Sequence, residues 1–112
     1  MKLYDCVIER VIDGDTVVVD IDLGFDVWLK REAIRLSNID APEVRTKDLD
    51  EKKRGLAAKE FLENLLPPGS KQVLISESFN RGKYGRIVGD LRGSNTNSVV
   101  LALLENGHAK RI

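Results

Sequence analysis

The chain has 112 residues and a mass of 12.5 kDa, about the length of one domain, with 42% hydrophobic and 32% charged residues. This composition is typical of a folded soluble protein, and the single cysteine and single histidine exclude an internal disulfide and a multi-histidine zinc site. The net charge is zero, but residues 1–43 carry −5 and residues 44–112 carry +5. An acidic first part could hold a cation and a basic second part could face an anionic polymer.

The chain is expected to be one domain over residues 1–112 and to act as a monomer. No apolar run approaches the ~20 residues that a membrane helix needs, and the first residues contain no signal-like apolar stretch. A cytoplasmic location and no membrane partner are therefore expected, although secretion followed by processing would leave the same sequence.

Three strands are expected in the first third of the chain. Leu3–Ile12 is rich in strand-forming residues, and Asp13-Gly14 is a hairpin turn signal. Residues 16–23 then alternate between an apolar and a more polar face, with the period of two of a half-buried strand. Gly24-Phe25 turns the chain again, and Asp26–Ile39 is expected to form the third strand, which completes a meander.

The rest of the chain predicts two helices and two short strands. A charged loop leads to a helix that begins at Leu49 or Asp50 and ends at Leu66, before two prolines. Its apolar stripe consists of Ala58, Phe61, Leu62 and Leu65. Strands over Val73–Ser78 and Arg86–Leu91 and a helix from a Ser98 cap to Asn106 follow. This order predicts a mainly β, α+β fold, namely a five-stranded barrel of the oligonucleotide-binding (OB) type with two to three helices.

Two groups of carboxylates follow apolar strands. Asp13 and Asp15 flank the glycine of the first hairpin, and Asp40 and Glu43 follow the third strand. The first and third strands of a meander run in the same direction, so their ends meet at one edge. Clustered carboxylates repel one another unless a hard cation neutralises them, and flexible oxygen coordination suits Ca²⁺ better than Mg²⁺. For each pair taken alone, an ordinary turn or strand end is the better explanation.

Two arginines lie where they could join these carboxylates. Arg35 is on the third strand, and Arg86 begins the fifth after a glycine-flanked turn. Planar guanidinium groups bind phosphate oxygens through paired hydrogen bonds, so two of them suit a phosphodiester. The alternative for each is an ion pair with Asp40 or Glu43.

Three motifs in this order resemble the staphylococcal nuclease family. They are V-I-D-G-D-T (Val11–Thr16), I-R-L-S-N-I-D-A-P-E (Ile34–Glu43) and K-Y-G-R (Lys83–Arg86). G-L-A-A-K-E-F-L (Gly55–Leu62) and E-N-G-H-A-K (Glu105–Lys110) are similar to the family more loosely. The resemblance implies an OB-like barrel and Ca²⁺-dependent hydrolysis of DNA or RNA, with a single-stranded or frayed nucleic acid as the substrate.

The resemblance also implies a role for each matching residue. Asp15, Asp40 and the backbone carbonyl of Ala41 would bind Ca²⁺, with Asp13 acting through water; alanine replaces a frequent threonine but keeps the carbonyl. Glu43 would be the general base, or the residue that orients the attacking water. Arg35 and Arg86 would bind the scissile phosphate, and of the two Arg86 would assist the leaving oxygen. Two further side chains, those of Lys83 and Tyr84, would contact a neighbouring phosphate.

Two other functions compete with the nuclease. One is an OB-like module that binds nucleic acid without cleaving it, and the other is a structural domain that an acidic metal site stabilises. Pure binding would not need two metal carboxylates and a base, so the intact set favours the nuclease. Trp28 on the third strand could stack a nucleobase, but we expect it to be a core or barrel-end residue.

Overall fold

The computed structural model of the chain describes residues 2–81 and 85–112, without the side chains of residues 78–81. The described elements are, in chain order, β1 (Lys2–Asp13), β2 (Thr16–Asp22), β3 (Trp28–Leu36), β4 (Ile39–Asp40), α1 (Leu49–Leu65), β5 (Lys71–Arg81), β6 (Ile87–Arg92), α2 (Val99–Glu105) and β7 (Lys110–Arg111).

Five strands form a closed barrel in the order β1-β2-β3-β6-β5. The first three strands pair as an antiparallel meander, and β5 pairs antiparallel with both β1 and β6. A parallel pairing between β3 and β6 closes the barrel, with Arg35 opposite Val88. The predicted OB-like, mainly β fold is therefore confirmed.

The expected third strand, Asp26–Ile39, is too long at both ends. It begins at Trp28 and ends at Leu36, and the chain then turns through Asn38, whose φ is +61°. Ile39 and Asp40 leave the barrel to pair antiparallel with Arg111 and Lys110. This separate two-stranded ribbon was not predicted, because its partner strand comes from the far end of the chain.

The β2–β3 hairpin extends beyond the barrel and leaves apolar side chains exposed. Phe25 at its tip is fully exposed, and Trp28 is 38% exposed with the Nζ atom of Lys30 5.2 Å from its ring centre. Trp28 is therefore not a core residue. The backbone of Arg31 adopts a φ of +52° beside a register shift in the β2–β3 ladder. This irregularity breaks the alternation of faces that a sequence-based assignment assumes.

Helix α1 covers one end of the barrel with small and aliphatic residues. It begins after Asp48, whose carboxylate accepts hydrogen bonds from two N–H groups of the first turn. Its buried residues are Gly55, Ala58 and Leu62. Phe61 and Leu65 of the predicted stripe are only partly buried and pack against the core. Helix α2 begins after the predicted cap Ser98. Neither helix of the described chain has the length and apolar character required to span a membrane.

The core fills the barrel and the space beneath the two helices. Its members are mainly aliphatic residues of the five barrel strands, joined by Ile39 of β4 and by residues from both helices. Cys6 of β1 belongs to this core and is 2% exposed. Burial, helped by the nearby charge of Asp5, raises the pKa of the Cys6 thiol to about 11.

We predict that Cys6 does not react with a thiol-specific disulfide reagent while the protein is folded. Only the thiolate attacks such reagents, and burial both blocks access and disfavours the charged form. The measurement is release of the chromophore at pH 8 with and without a denaturing concentration of urea. One thiol per chain should react in urea, whereas rapid reaction in buffer alone would contradict the buried position.

Candidate active site

Asp15 is the centre of the candidate site. It follows the β1–β2 turn, and only 8% of its surface is exposed. One carboxylate oxygen accepts a hydrogen bond from the backbone N–H of Ala41 at 2.9 Å, and the other accepts one from the hydroxyl of Thr16 at 3.1 Å. The bond to Ala41 ties the first hairpin to the segment after β4, which lies 26 residues later in the chain.

Arg35 joins the two groups of carboxylates. Its Nη2 atom lies 3.5 Å from Asp15 Oδ2 and 3.7 Å from Asp40 Oδ1. Its Nη1 atom donates to the carbonyl oxygens of Leu36 at 3.0 Å and Asp15 at 3.5 Å. The structure thus brings Asp15, Asp40 and Arg35 into one cluster, and the ion pair with Asp40, which the sequence had left open as an alternative, is present.

The carboxyl groups of Asp13 and Asp15 interact directly and titrate very differently. Burial, together with a hydrogen bond and repulsion from Asp15, raises the pKa of Asp13 to about 7, and the charge of Glu43 raises it further. Burial opposes ionisation of Asp15 as well, but the hydrogen bond from Asp13, the N–H of Ala41 and the charge of Arg35 lower its pKa below the ordinary value. Asp13 is thus partly protonated near neutral pH, because burial disfavours its charged form and the negative charge of Asp15 adds to that effect.

The donor set at this cluster suits a hard cation. The side chains of Asp15 and Asp40 offer anionic oxygens, and a cation would relieve the repulsion that raises the pKa of Asp13. Within residues 2–81 and 85–112, however, no three His, Cys, Asp or Glu side chains come together closely enough to form a metal site by themselves. Backbone carbonyl groups and water would have to complete the coordination shell, as they commonly do for Ca²⁺.

Helix α1 holds Glu43 beside this cluster by its backbone. The N–H of Glu43 donates to a carboxylate oxygen of Glu51 at 3.1 Å. A Cβ atom at Gly55 would lie 2.5 Å from the carbonyl oxygen of Glu43 and 2.9 Å from that of Pro42, so only glycine permits this approach. The side chain of Glu43 is exposed and available to solvent. Its position therefore depends on the helix that passes behind it.

The same helix supports the first acidic turn. A Cβ atom at Gly14 would lie 2.8 Å from the Cβ atom of Ala58 and 2.9 Å from that of Ala41. The turn that carries Asp13 and Asp15 therefore packs directly on α1 and on the segment after β4. Larger side chains at these positions would push the two acidic segments apart.

The remaining predicted site residues lie on or next to the β5–β6 connection. Arg86 is half-buried and immediately precedes β6, in which Val88 is the parallel register partner of Arg35. This pairing brings the start of β6 alongside the strand that carries Arg35. Lys83 and Tyr84 lie outside the described residues.

Two residues of α1 that contact the backbone of Glu43 were not predicted from the sequence. Glu51 and Gly55 of α1 were not recognised as contacts of Glu43. A glycine within the apolar stripe of a helix is a signal that could have found Gly55, because glycine costs helix stability and usually needs a packing reason. No comparable local signal identifies Glu51.

A model of the staphylococcal nuclease homologue family matches residues 33–112 of the chain. The matched range contains five of the predicted site residues that the structure describes, namely Arg35, Asp40, Ala41, Glu43 and Arg86. Asp13 and Asp15 precede this range, and the hydrogen bond between Asp15 and Ala41 connects them to it.

The chain is also similar to a longer curated protein, "Endonuclease YhcR" of Bacillus subtilis (strain 168). The two are 32% identical over an alignment of 111 positions, which covers 95% of this chain. The chain spans 9% of the length of that relative. The similarity therefore concerns one part of a much larger protein and includes the first acidic turn.

Proposed function

Because the chain belongs to the staphylococcal nuclease family, we propose that it is a Ca²⁺-dependent nuclease that hydrolyses phosphodiester bonds of DNA, RNA or both. The observation that carries this proposal is the cluster in which Arg35 Nη2 contacts both Asp15 and Asp40. Family membership indicates the class of chemistry, and the cluster supports a location for it. A single-stranded or frayed nucleic acid is the proposed substrate.

In this proposal Asp15, Asp40 and the backbone carbonyl of Ala41 hold the cation, and Asp13 assists through water. A bound Ca²⁺ supplies positive charge that stabilises the phosphate transition state and makes a nearby water more acidic. The hydrogen bonds from Thr16 and Ala41 fix the orientation of the Asp15 carboxylate. Such fixed orientation reduces the reorganisation that binding requires.

Arg35 and Arg86 bind the oxygens of the scissile phosphate. The contacts of Arg35 Nη2 to the carboxylates, at 3.5 and 3.7 Å, are longer than the 2.7–2.9 Å of a strong charged hydrogen bond. This side of the guanidinium is therefore weakly engaged, while its Nη1 atom is anchored on Leu36. Preorganised donors of this kind stabilise the negative charge that develops during in-line attack.

Glu43 is the proposed general base. It takes a proton from the attacking water, whose oxygen forms a bond to phosphorus while the bond to the leaving oxygen breaks. The electron pair of that bond goes to the leaving oxygen, where Arg86 donates a hydrogen bond before solvent supplies a proton. Lys83 and Tyr84 are proposed to contact a neighbouring phosphate.

The purified chain should cleave heat-denatured DNA in the presence of Ca²⁺ and stop when a chelator is added. The reason is that uncompensated carboxylates at the cluster repel a phosphate, whereas a cation attracts it. Gel electrophoresis of end-labelled DNA, with and without Ca²⁺, measures the effect. A double variant, Asp15→Asn with Asp40→Asn, should be inactive with or without Ca²⁺.

A binding module would behave differently in the same experiment. It would retard DNA on a native gel whether or not Ca²⁺ is present, and the length of the DNA would not change. That result would overturn the nuclease proposal in favour of an OB-like nucleic-acid-binding domain. Activity that continues in excess chelator would instead show that the cation has been wrongly assigned.

A further inference from the structure

A cavity of about 330 Å³ opens beside the candidate site. Asp40 and Glu43 form part of its wall, Arg54 of α1 lines another part, and His108 and Lys110 line it from the segment after α2. Small-molecule sites in proteins begin at about this volume. The cavity is therefore large enough for about one nucleotide unit next to the reacting group.

Two cations line this cavity close to the cluster. Lys110 is the antiparallel register partner of Asp40 in the β4–β7 ribbon. Side chains of directly opposed residues project from the same face of a sheet, so Lys110 and Asp40 are neighbours on that face. Arg54 is exposed on α1, one residue before the glycine that contacts Glu43.

These two cations differ from Arg35 in their partners. Arg35 is engaged by two carboxylates, whereas in the described part of the chain neither Arg54 nor Lys110 forms an ion pair. Glu51, which also lines the cavity, accepts a hydrogen bond from the N–H of Glu43. The cavity wall also carries the carboxylates of Asp40, Glu43 and Glu51, and the ion pair of Asp40 is with Arg35. Arg54 and Lys110 have no ion pair in the described part of the chain, so they are the charged side chains of this wall that suit an anionic ligand.

We propose that this cavity is a subsite for one of the two phosphate groups adjacent to the scissile one, namely the neighbour on the Glu43 side, and that Arg54 and Lys110 bind it. Lys83 and Tyr84 are assigned to the neighbour on the other side. The inference rests on the proposed nuclease function, since the cavity opens beside Asp40 and Glu43 and offers a nucleic-acid strand held at the cluster a path along Glu43. A strand that continues into the cavity meets both cations. The subsite thus selects substrates that extend at least one phosphate beyond the cleaved bond.

The test compares a dinucleotide that has one phosphodiester with an octanucleotide of the same base. For the double variant Arg54→Gln, Lys110→Gln, the ratio of kcat/KM between octanucleotide and dinucleotide should fall about tenfold or more, because charged hydrogen bonds to phosphate are lost. The salt dependence of octanucleotide binding, measured by fluorescence anisotropy, should weaken by about 0.7 in log–log slope per lost contact.

The matched control is Lys52→Gln, Lys53→Gln. It removes two positive charges from the same helix at exposed positions that do not line the cavity. This control should leave the ratio of kcat/KM between octanucleotide and dinucleotide unchanged. It should also retain most of the salt dependence of octanucleotide binding. If both double variants lower the kcat/KM ratio and the salt dependence equally, the subsite proposal is wrong. Such a result would show only a long-range effect of net charge.

A scan with uncharged methylphosphonate linkages locates the contact. Replacing the linkage next to the scissile one should weaken binding to the parent protein but not to the Arg54→Gln, Lys110→Gln variant. Equal sensitivity of both proteins at that linkage would reject the proposal while leaving the nuclease function intact. Failure of the parent protein to cleave either substrate would reject both.

Discussion

Replacing Glu43 by glutamine should lower kcat by about 10²–10⁴-fold, which is the usual contribution of a general base. Glutamine has nearly the same size but cannot take a proton from the attacking water. The backbone contacts that hold this residue involve its N–H and its carbonyl group, which the substitution preserves. Binding of single-stranded DNA should therefore change little.

The experiment measures kcat from the initial rate of DNA cleavage at saturating Ca²⁺ and affinity from fluorescence anisotropy. Glu60→Gln is the control, since Glu60 is an exposed glutamate of α1 that does not line the cavity beside Glu43. It should keep the parent rate. If Glu43→Gln also has the kcat of the parent protein, Glu43 is not the general base, even if its affinity for DNA changes.

Replacing Gly55 by alanine should reduce both stability and activity. In a solvent-exposed helix this change would stabilise the protein by up to about 1 kcal/mol. Here the added Cβ atom would lie 2.5 Å from the carbonyl oxygen of Glu43, a backbone atom that cannot rotate away. Overpacking of this kind typically costs about 1–3 kcal/mol, so the substitution should destabilise this protein rather than stabilise it.

The same displacement should move Glu43 relative to Asp15 and Asp40, so kcat should fall as well. Urea denaturation measures the free energy of unfolding, and the cleavage assay measures kcat. Ala57→Gly, two residues along the same helix at an exposed position, is the converse exchange. It should cost about 1 kcal/mol through helix propensity alone and leave kcat unchanged. A more stable Gly55→Ala protein would show that the helix does not approach Glu43 closely.

Much of the fold follows from local features of the sequence. The meander, the helix over Leu49–Leu65 and the cap at Ser98 all arise from alternation, periodicity and capping residues that act within a few positions. The encounter of Asp15 with Asp40 could also be predicted, because two strands of a meander that run in one direction end at one edge. The family motifs add the chemical roles, which stay predictions.

Other features depend on contacts between distant parts of the chain. No local pattern indicates that β6 pairs in parallel with β3, or that Lys110 lies opposite Asp40. The exposure of Trp28 likewise depends on the hairpin that extends beyond the barrel. In this hairpin a register shift and the positive φ of Arg31 interrupt the regular alternation of faces.

The sequence by itself thus determined the five barrel strands apart from their exact ends, the two helices and the identity of the acidic and basic side chains. Only the tertiary structure decided that Arg35 bridges both acidic segments, that Gly55 holds the backbone of Glu43, and that unpaired cations line a cavity beside it. The physical reason is the distance along the chain over which each interaction acts. Propensities, turns and caps are properties of neighbouring residues, whereas a closed barrel is formed by pairings whose partners are set by the packing of the whole chain.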